Sequence, residues 1–174
     1  MTAIGRILLP RRRILARVRR LAAEIAAAHG QRELVVVPVL TGAFMFLADL
    51  VRCWPRKLRV DVVVVTSYAG RMTGRRPRVL LPNALSVAGR QVLIVDDILQ
   101  SGRSLAAVQR LLRRRGAASV RTCVLLRKAA ARRAGLAADF IGFDIPDAFV
   151  VGYGMDYRHY YRNLPDIAVL NRSA

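Results

Sequence analysis

The residues best placed to do chemistry lie between Val92 and Leu105, in the order Val-Leu-Ile-Val-Asp-Asp-Ile-Leu-Gln-Ser-Gly-Arg-Ser-Leu. Asp96 and Asp97 are hard oxygen acceptors, suited to sugar hydroxyls or to a hydrated divalent metal. Behind them come Ser101, Gly102, Arg103 and Ser104. Gly102 lets the backbone turn sharply, so that the N–H groups from Ser101 to Ser104 and two hydroxyls converge at a helix N-terminus, an anion cradle. Phosphate beside sugar-binding acids points to a phosphorylated ribose. An ordinary buried strand with a polar turn and a capped helix explains the apolar run. It does not explain why acids, small-residue turn and helix follow one another in the order a cradle needs.

The elements that must hold these groups are legible from hydrophobic period. Val92 to Leu99 is apolar enough for a buried parallel strand, and the spacing after Ser104 predicts a helix to Arg115, closed by Gly116. Upstream, Ile14, Leu15, Val18, Leu21, Ala22 and Ile25 recur at helical spacing between Pro10 and His29, with arginines on the other, solvated face. Leu34 to Leu40 reads as a strand, Thr41-Gly42-Ala43 as a turn and Phe44 to Val51 as a helix. Leu58 to Ser67, Val79 to Leu81 and Val120 to Leu126 are further strands. The alternation implies an α/β fold with a mostly parallel twisted sheet flanked by helices. Thr41-Gly42 then falls at the carboxyl end of a strand, where such sheets gather ligands. Residues 67–77, polar with two glycines, read as a lid or an exposed hairpin. Ala129 to Ala138 reads as a connection. The aromatic, Gly and Asp residues from Asp139 to Pro165 suit either an edge structure or one wall of a planar-ligand pocket.

At 174 residues the chain is expected to form one domain, 1–174, with 54% hydrophobic residues to fill its core. No apolar run approaches the ~20 residues of a membrane span, and the arginines after Ile7-Leu8-Leu9 stand in the wrong order for a secretory signal, so a cytoplasmic location is expected. Cys53 and Cys123 are expected to be reduced core residues. The net charge of +19 raises nucleic acid as a partner. Of the 30 basic residues, however, only Lys57 and Lys128 are lysine, a skew that reads as a chain-wide preference for arginine on solvated faces. Against that background Lys128, a compact single-point donor at a strand end, stands out as suited to a flat carbonyl oxygen.

Several stretches together resemble the hypoxanthine(-guanine) phosphoribosyltransferases of the type I phosphoribosyltransferase family. They are Val39 to Phe44 with Ala48-Asp49-Leu50, Ser67-Tyr68, the Val92–Leu105 stretch, Lys128, Gly142 to Asp147, Val150 to Tyr157, and Tyr161 to Pro165. The acids and cradle mark the superfamily, whereas the C-terminal block marks its 6-oxopurine branch. The resemblance implies the family's sheet with a small hood from the N- and C-terminal segments and a flexible lid loop. It also implies Mg²⁺-dependent transfer of phosphoribose from phosphoribosyl pyrophosphate to hypoxanthine, with guanine as a second candidate, in purine salvage, by a homodimer or homotetramer. Asp96 and Asp97 would meet the ribose hydroxyls, and Gln100 to Ser104 would cradle the 5′-phosphate. Ile98, Lys128, Phe149, Val150 and Asp156 would form the purine side, with Lys128 on O6 and Phe149 stacked on the ring. Asp156 would hold Mg²⁺, with Asp96 and Asp97 as further ligands. Thr41-Gly42, through a cis peptide, and Arg162 would face pyrophosphate, and Ser67-Tyr68 would belong to the lid.

Two positions depart from the family. Thr41 stands where Lys is common, and Gln100 stands where the family usually has the Asp that acts as acid or base at purine N7. An amide can hydrogen-bond N7 but cannot titrate. Gln100 therefore leaves two readings: a salvage enzyme with an unusual base position, or a nucleotide-sensing RNA-binding regulator with weak or no catalysis.

Overall fold

A computed structural model describes residues 2–66, 78–80 and 86–172 of the chain. Its main sheet runs in the order β5-β4-β2-β6-β7-β8, where β2 is Leu34–Leu40, β4 Val63–Thr66, β5 Arg78–Leu80, β6 Gln91–Leu99, β7 Ser119–Lys128 and β8 Phe140–Ile145. Every pairing on that path is parallel except the edge pair β4–β5, as the alternating pattern implies. The expected strand from Leu58 to Ser67 is two pieces instead. β3, Arg59–Val60, pairs with the first half of β2, and β4 pairs with its end. At the interruption the N–H of Asp61 donates to the Val36 carbonyl at 3.0 Å, so the backbone stays satisfied where the ladder shifts.

Helices cover both faces. α1, Arg11–His29, buries Ile14, Val18, Leu21, Ala22 and Ile25, five of the six residues its period singled out, while Leu15 stays partly exposed. α2, Phe44–Arg52, packs on the same side, while α3, Arg103–Arg114, turns Leu105, Val108 and Leu112 onto the opposite face. The stretch expected as a plain connection opens with a short helix, α4, Ala129–Arg133, whose first turn accepts Asp147 as a partner at the Ala130 N–H, 2.7 Å. The arginine face of α1 is not wholly solvated. Arg17 donates to the carbonyls of Ile141 and Gly142 at 2.7 and 3.0 Å, and Arg13 lies over the Phe143 ring, so this face also anchors β8.

A second sheet, in the order β1-β10-β9, is antiparallel and joins the two ends of the chain: β1 is Thr2–Leu9, β9 Val150–Val151 and β10 Ile167–Arg172. This is the expected hood. Its buried residues Leu9, Val150, Tyr153, Met155 and Ile167 share one core with Phe46, Leu93 and Leu125, and Ile98 packs against that core. The hood is thus fixed to the sheet by apolar packing, directly above the end of β6. Both cysteines are free; Cys123 is buried, and burial pushes its thiol up, which leaves it inert. No helix among the described residues is long and apolar enough to cross a membrane.

Candidate active site

The carboxyl end of β6 carries the acids. Asp96 is only 6% exposed and Asp97 is partly buried, and the Asp97 N–H donates to Asp96 Oδ1 at 3.0 Å. Burial raises the pKa of Asp96 well above the usual carboxylate range, and the neighbouring Asp97 charge adds to it; burial also raises Asp97, against the pull of Arg162. Two carboxylates held this way favour a cation or hydroxyl donors beside them.

After β6 the chain turns through Gly102, at φ 69°, into α3, so the N–H groups of the first helical turn point outward unpaired by the helix itself. The cradle borders a cavity of about 360 Å³. Asp96, Asp97, Ile98, Gln100, Ser101, Gly102 and Ser104 line it, together with Gly42 and Val65 from the neighbouring strand ends. Gln100 is exposed; Arg103, also exposed, is not among the lining residues. Sequence reading found the polar wall but not Val39, Leu99 and Leu105, apolar residues whose spacing marks them only as core.

The turn after β2 approaches these acids very closely. The cis peptide expected at Thr41-Gly42 lies one bond earlier, between Leu40 and Thr41, and Thr41 itself is exposed. A Cβ on Gly42 would lie 2.7 Å from Asp97 Cγ, well inside contact distance, so only glycine fits. On its other side the Gly42 carbonyl abuts Gly154, which has φ 99° and equally little space for a side chain. Gly42 is therefore the point where the acids of β6, the turn after β2 and the C-terminal block meet. Within Val150 to Tyr157 nothing short of this tertiary contact singles out Gly154.

The C-terminal block holds the remaining candidates. Arg162 donates to the Gly154 carbonyl at 2.6 Å and pairs with Asp156 Oδ1 at 2.6 Å, while Asp156 Oδ2 accepts the His159 N–H at 2.7 Å. Arg162 thus links Gly154 and Asp156 and is near enough to Asp97 to lower its pKa. Val150 is buried in β9, and Phe149 meets Tyr157 edge-on at 5.8 Å between ring centroids. Lys128 ends β7, one residue beyond the pair Leu99–Arg127, and pairs with Ile145 of β8. Lys128, Phe149, Val150, Asp156 and Arg162 are not among the residues that line the acid-lined cavity. Ser67 and Tyr68, expected in the lid, lie outside the described residues.

A phosphoribosyl transferase domain family model matches residues 6–158. The chain belongs to that family. It is 39% identical over 168 residues to a hypoxanthine-guanine phosphoribosyltransferase of Bacillus subtilis, covering 96% of this chain and 93% of the relative. It is also 39% identical over 164 residues to a hypoxanthine phosphoribosyltransferase of Escherichia coli, covering 92% of each. A crystal structure of a hypoxanthine-guanine phosphoribosyltransferase from Bacillus anthracis superposes with a TM-score of 0.89 at 32% identity, over 98% of this chain and 100% of that one. The fold is accordingly that of the type I phosphoribosyltransferases. These relatives carry enzyme names, and nothing in them supports the alternative of an RNA-binding regulator.

Proposed function

We propose that the chain is a purine-salvage enzyme that transfers phosphoribose from phosphoribosyl pyrophosphate to hypoxanthine, and to guanine as a second base. The products are IMP or GMP and pyrophosphate. The observation that carries this reading is the convergence at Gly42, where the acid pair and the turn into α3 line one cavity and the C-terminal block, with Arg162 and Asp156 linked to Gly154, abuts the turn after β2.

In this reading the cradle from Gln100 to Ser104 binds the 5′-phosphate, and Asp96 and Asp97 accept the ribose hydroxyls. Thr41-Gly42, Arg162 and, from the lid, Ser67 and Tyr68 serve the pyrophosphate. Ile98, Val150 and Phe149 hold the purine plane, and Lys128 donates to O6. The bond from C1′ to pyrophosphate oxygen breaks as purine N9 attacks. Positive charge grows on the ribose and negative charge on the leaving group, so the acids and the cations act on opposite ends. Among the described residues no three or more His, Cys, Asp or Glu side chains cluster to hold a metal. The buried pair Asp96 and Asp97 nevertheless fits Mg²⁺, which takes one or two carboxylates and completes its shell with substrate oxygens and water. The pair Asp96 and Asp97 would hold it, or Asp156 apart from them, and bound there it would supply charge neutralisation to the leaving pyrophosphate. The free thiols of Cys53 and Cys123 suit the cytoplasmic location that belongs to this proposal, as do a single domain over 1–174 and assembly as a homodimer or homotetramer.

Gln100 makes the rate the informative quantity. Its amide hydrogen-bonds N7 without taking the proton, which leaves to solvent from this exposed position; absent acid–base assistance costs ~10²–10⁴ in rate. The test is a spectrophotometric assay of hypoxanthine, guanine and xanthine with phosphoribosyl pyrophosphate and Mg²⁺, beside Gln100→Asp. Turnover by the native chain, faster in the variant, is expected. No turnover in either would end the enzyme reading.

A further inference from the structure

Asp49 belongs to the family-like stretch Ala48-Asp49-Leu50, yet none of the roles above uses it. It lies on α2, one helical turn beyond Met45, so both face the same way. Met45 borders Gly154, with its Cβ 3.6 Å from where a Gly154 side chain would begin. One turn on, Asp49 Oδ2 accepts the Tyr153 hydroxyl at 2.6 Å, while its other oxygen pairs with Arg52. Tyr153 is 5% exposed, so this hydroxyl is a buried donor with a charged acceptor; burial, with the Asp49 bond, keeps the phenol protonated as that donor. The backbone it anchors is unusual. Gly152, Tyr153 and Gly154 all have positive φ, at 96°, 51° and 99°, although Tyr153 carries a side chain. A residue holds that conformation only where its surroundings over-determine it. Bonds from the Tyr153 and Gly154 N–H groups to the carbonyls of Leu164 and Arg162, at 2.8 and 3.0 Å, fix one side of the loop, and Asp49 fixes the other.

We infer that Asp49 and Tyr153 are positioning residues for phosphoribosyl pyrophosphate. Their bond clamps residues 152–156 to α2, whose preceding turn carries Gly42, and so sets Arg162 and Asp156 at a fixed distance from the pyrophosphate side of the site. Phe149 and Val150 lie before the clamped loop and are held by β9 and its pairing with β10. The clamp therefore acts on one substrate and spares the other. This rests on the proposed function for the identity of the two substrates.

The test compares the wild type with Tyr153→Phe, Asp49→Asn and Asp49→Ala. It uses calorimetric binding of phosphoribosyl pyrophosphate with Mg²⁺, steady-state KM for each substrate, and Tm. Tyr153→Phe keeps the ring and loses only the donor; binding of phosphoribosyl pyrophosphate is expected to weaken about tenfold, with the KM for hypoxanthine within about twofold. Asp49→Asn, which still offers an oxygen, loses less than Asp49→Ala, and adding Tyr153→Phe to Asp49→Ala costs nothing further. A fall in Tm with binding unchanged would overturn the inference, as would an equal rise in both KM values. Should the wild type turn over no 6-oxopurine, the proposed function falls, and the calorimetric binding data alone decide the clamp by the same criteria.

Discussion

Replacing Gly42 with alanine strikes the point where three segments meet. The added methyl would lie 2.7 Å from Asp97 Cγ, whereas carbon atoms rest at about 3.5–4.0 Å, so the acid or the turn after β2 must move by roughly 1 Å. Neither can move freely. The Asp97 carboxylate is hydrogen-bonded to the Asp96 side chain and the Ile98 backbone N–H, and the Gly42 carbonyl already abuts Gly154. Overpacking of this kind costs about 1–3 kcal/mol, or roughly 2–4 °C of Tm for each kcal/mol in a chain of this length. The catalytic cost is larger, because a misplacement of ~1 Å between substrate-positioning groups costs on the order of 10²-fold in rate. Kinetics with varied phosphoribosyl pyrophosphate, alongside thermal melts, measure both. Gly135→Ala is the control: unlike Gly42 it has a positive φ, 68°, so the methyl adds backbone strain, but nothing lies within 4 Å of it, so Tm falls and kinetics hold. A Gly42→Ala enzyme with kcat/KM within twofold of the wild type would refute the close-contact argument.

Two further outcomes follow from single side chains. Lys128→Ala is expected to raise the KM for the purine base at least about tenfold and to leave that of phosphoribosyl pyrophosphate nearly unchanged, and equal effects on both would show that Lys128 does not read the base. His29, at the end of α1, is buried, with Nδ1 2.9 Å from Gln91 Oε1 and no hydrogen-bond partner for Nε2 among the described residues. Burial lowers its pKa below 6.5, so the folded state prefers the neutral ring while the unfolded chain takes up the proton. The stability this confers is complete above pH 6.5 and is lost as the pH falls through the lowered folded value, at up to about 1.4 kcal/mol per pH unit. Melts from pH 8 to 5 are expected to show a decline below pH 6.5 that His29→Leu flattens; equal slopes would remove His29 as the cause.

The strands and helices were legible because their burial leaves a period in the chain. α1, β2, β6, α3 and β7 stand where apolar spacing places them, and the acid pair, small-residue turn and helix of Val92–Leu105 form the cradle that their order implies. Chemistry carried by neighbours in sequence needs only local geometry, so the sequence by itself determined that the acid pair and the turn into α3 stand together at the end of β6. It could not determine what crosses between elements. The break between β3 and β4, the short helix α4 and the anchoring of β8 by Arg17 depend on backbone partners far along the chain, which no local period records. The same holds for Asp49, Tyr153 and Gly154. Each is an ordinary residue within its own segment, and each has meaning only from the distance to another. A close approach is a property of two surfaces at once, and only the folding of the hood onto the end of β6 decided which glycine had to be bare and which carboxylate had to receive a tyrosine.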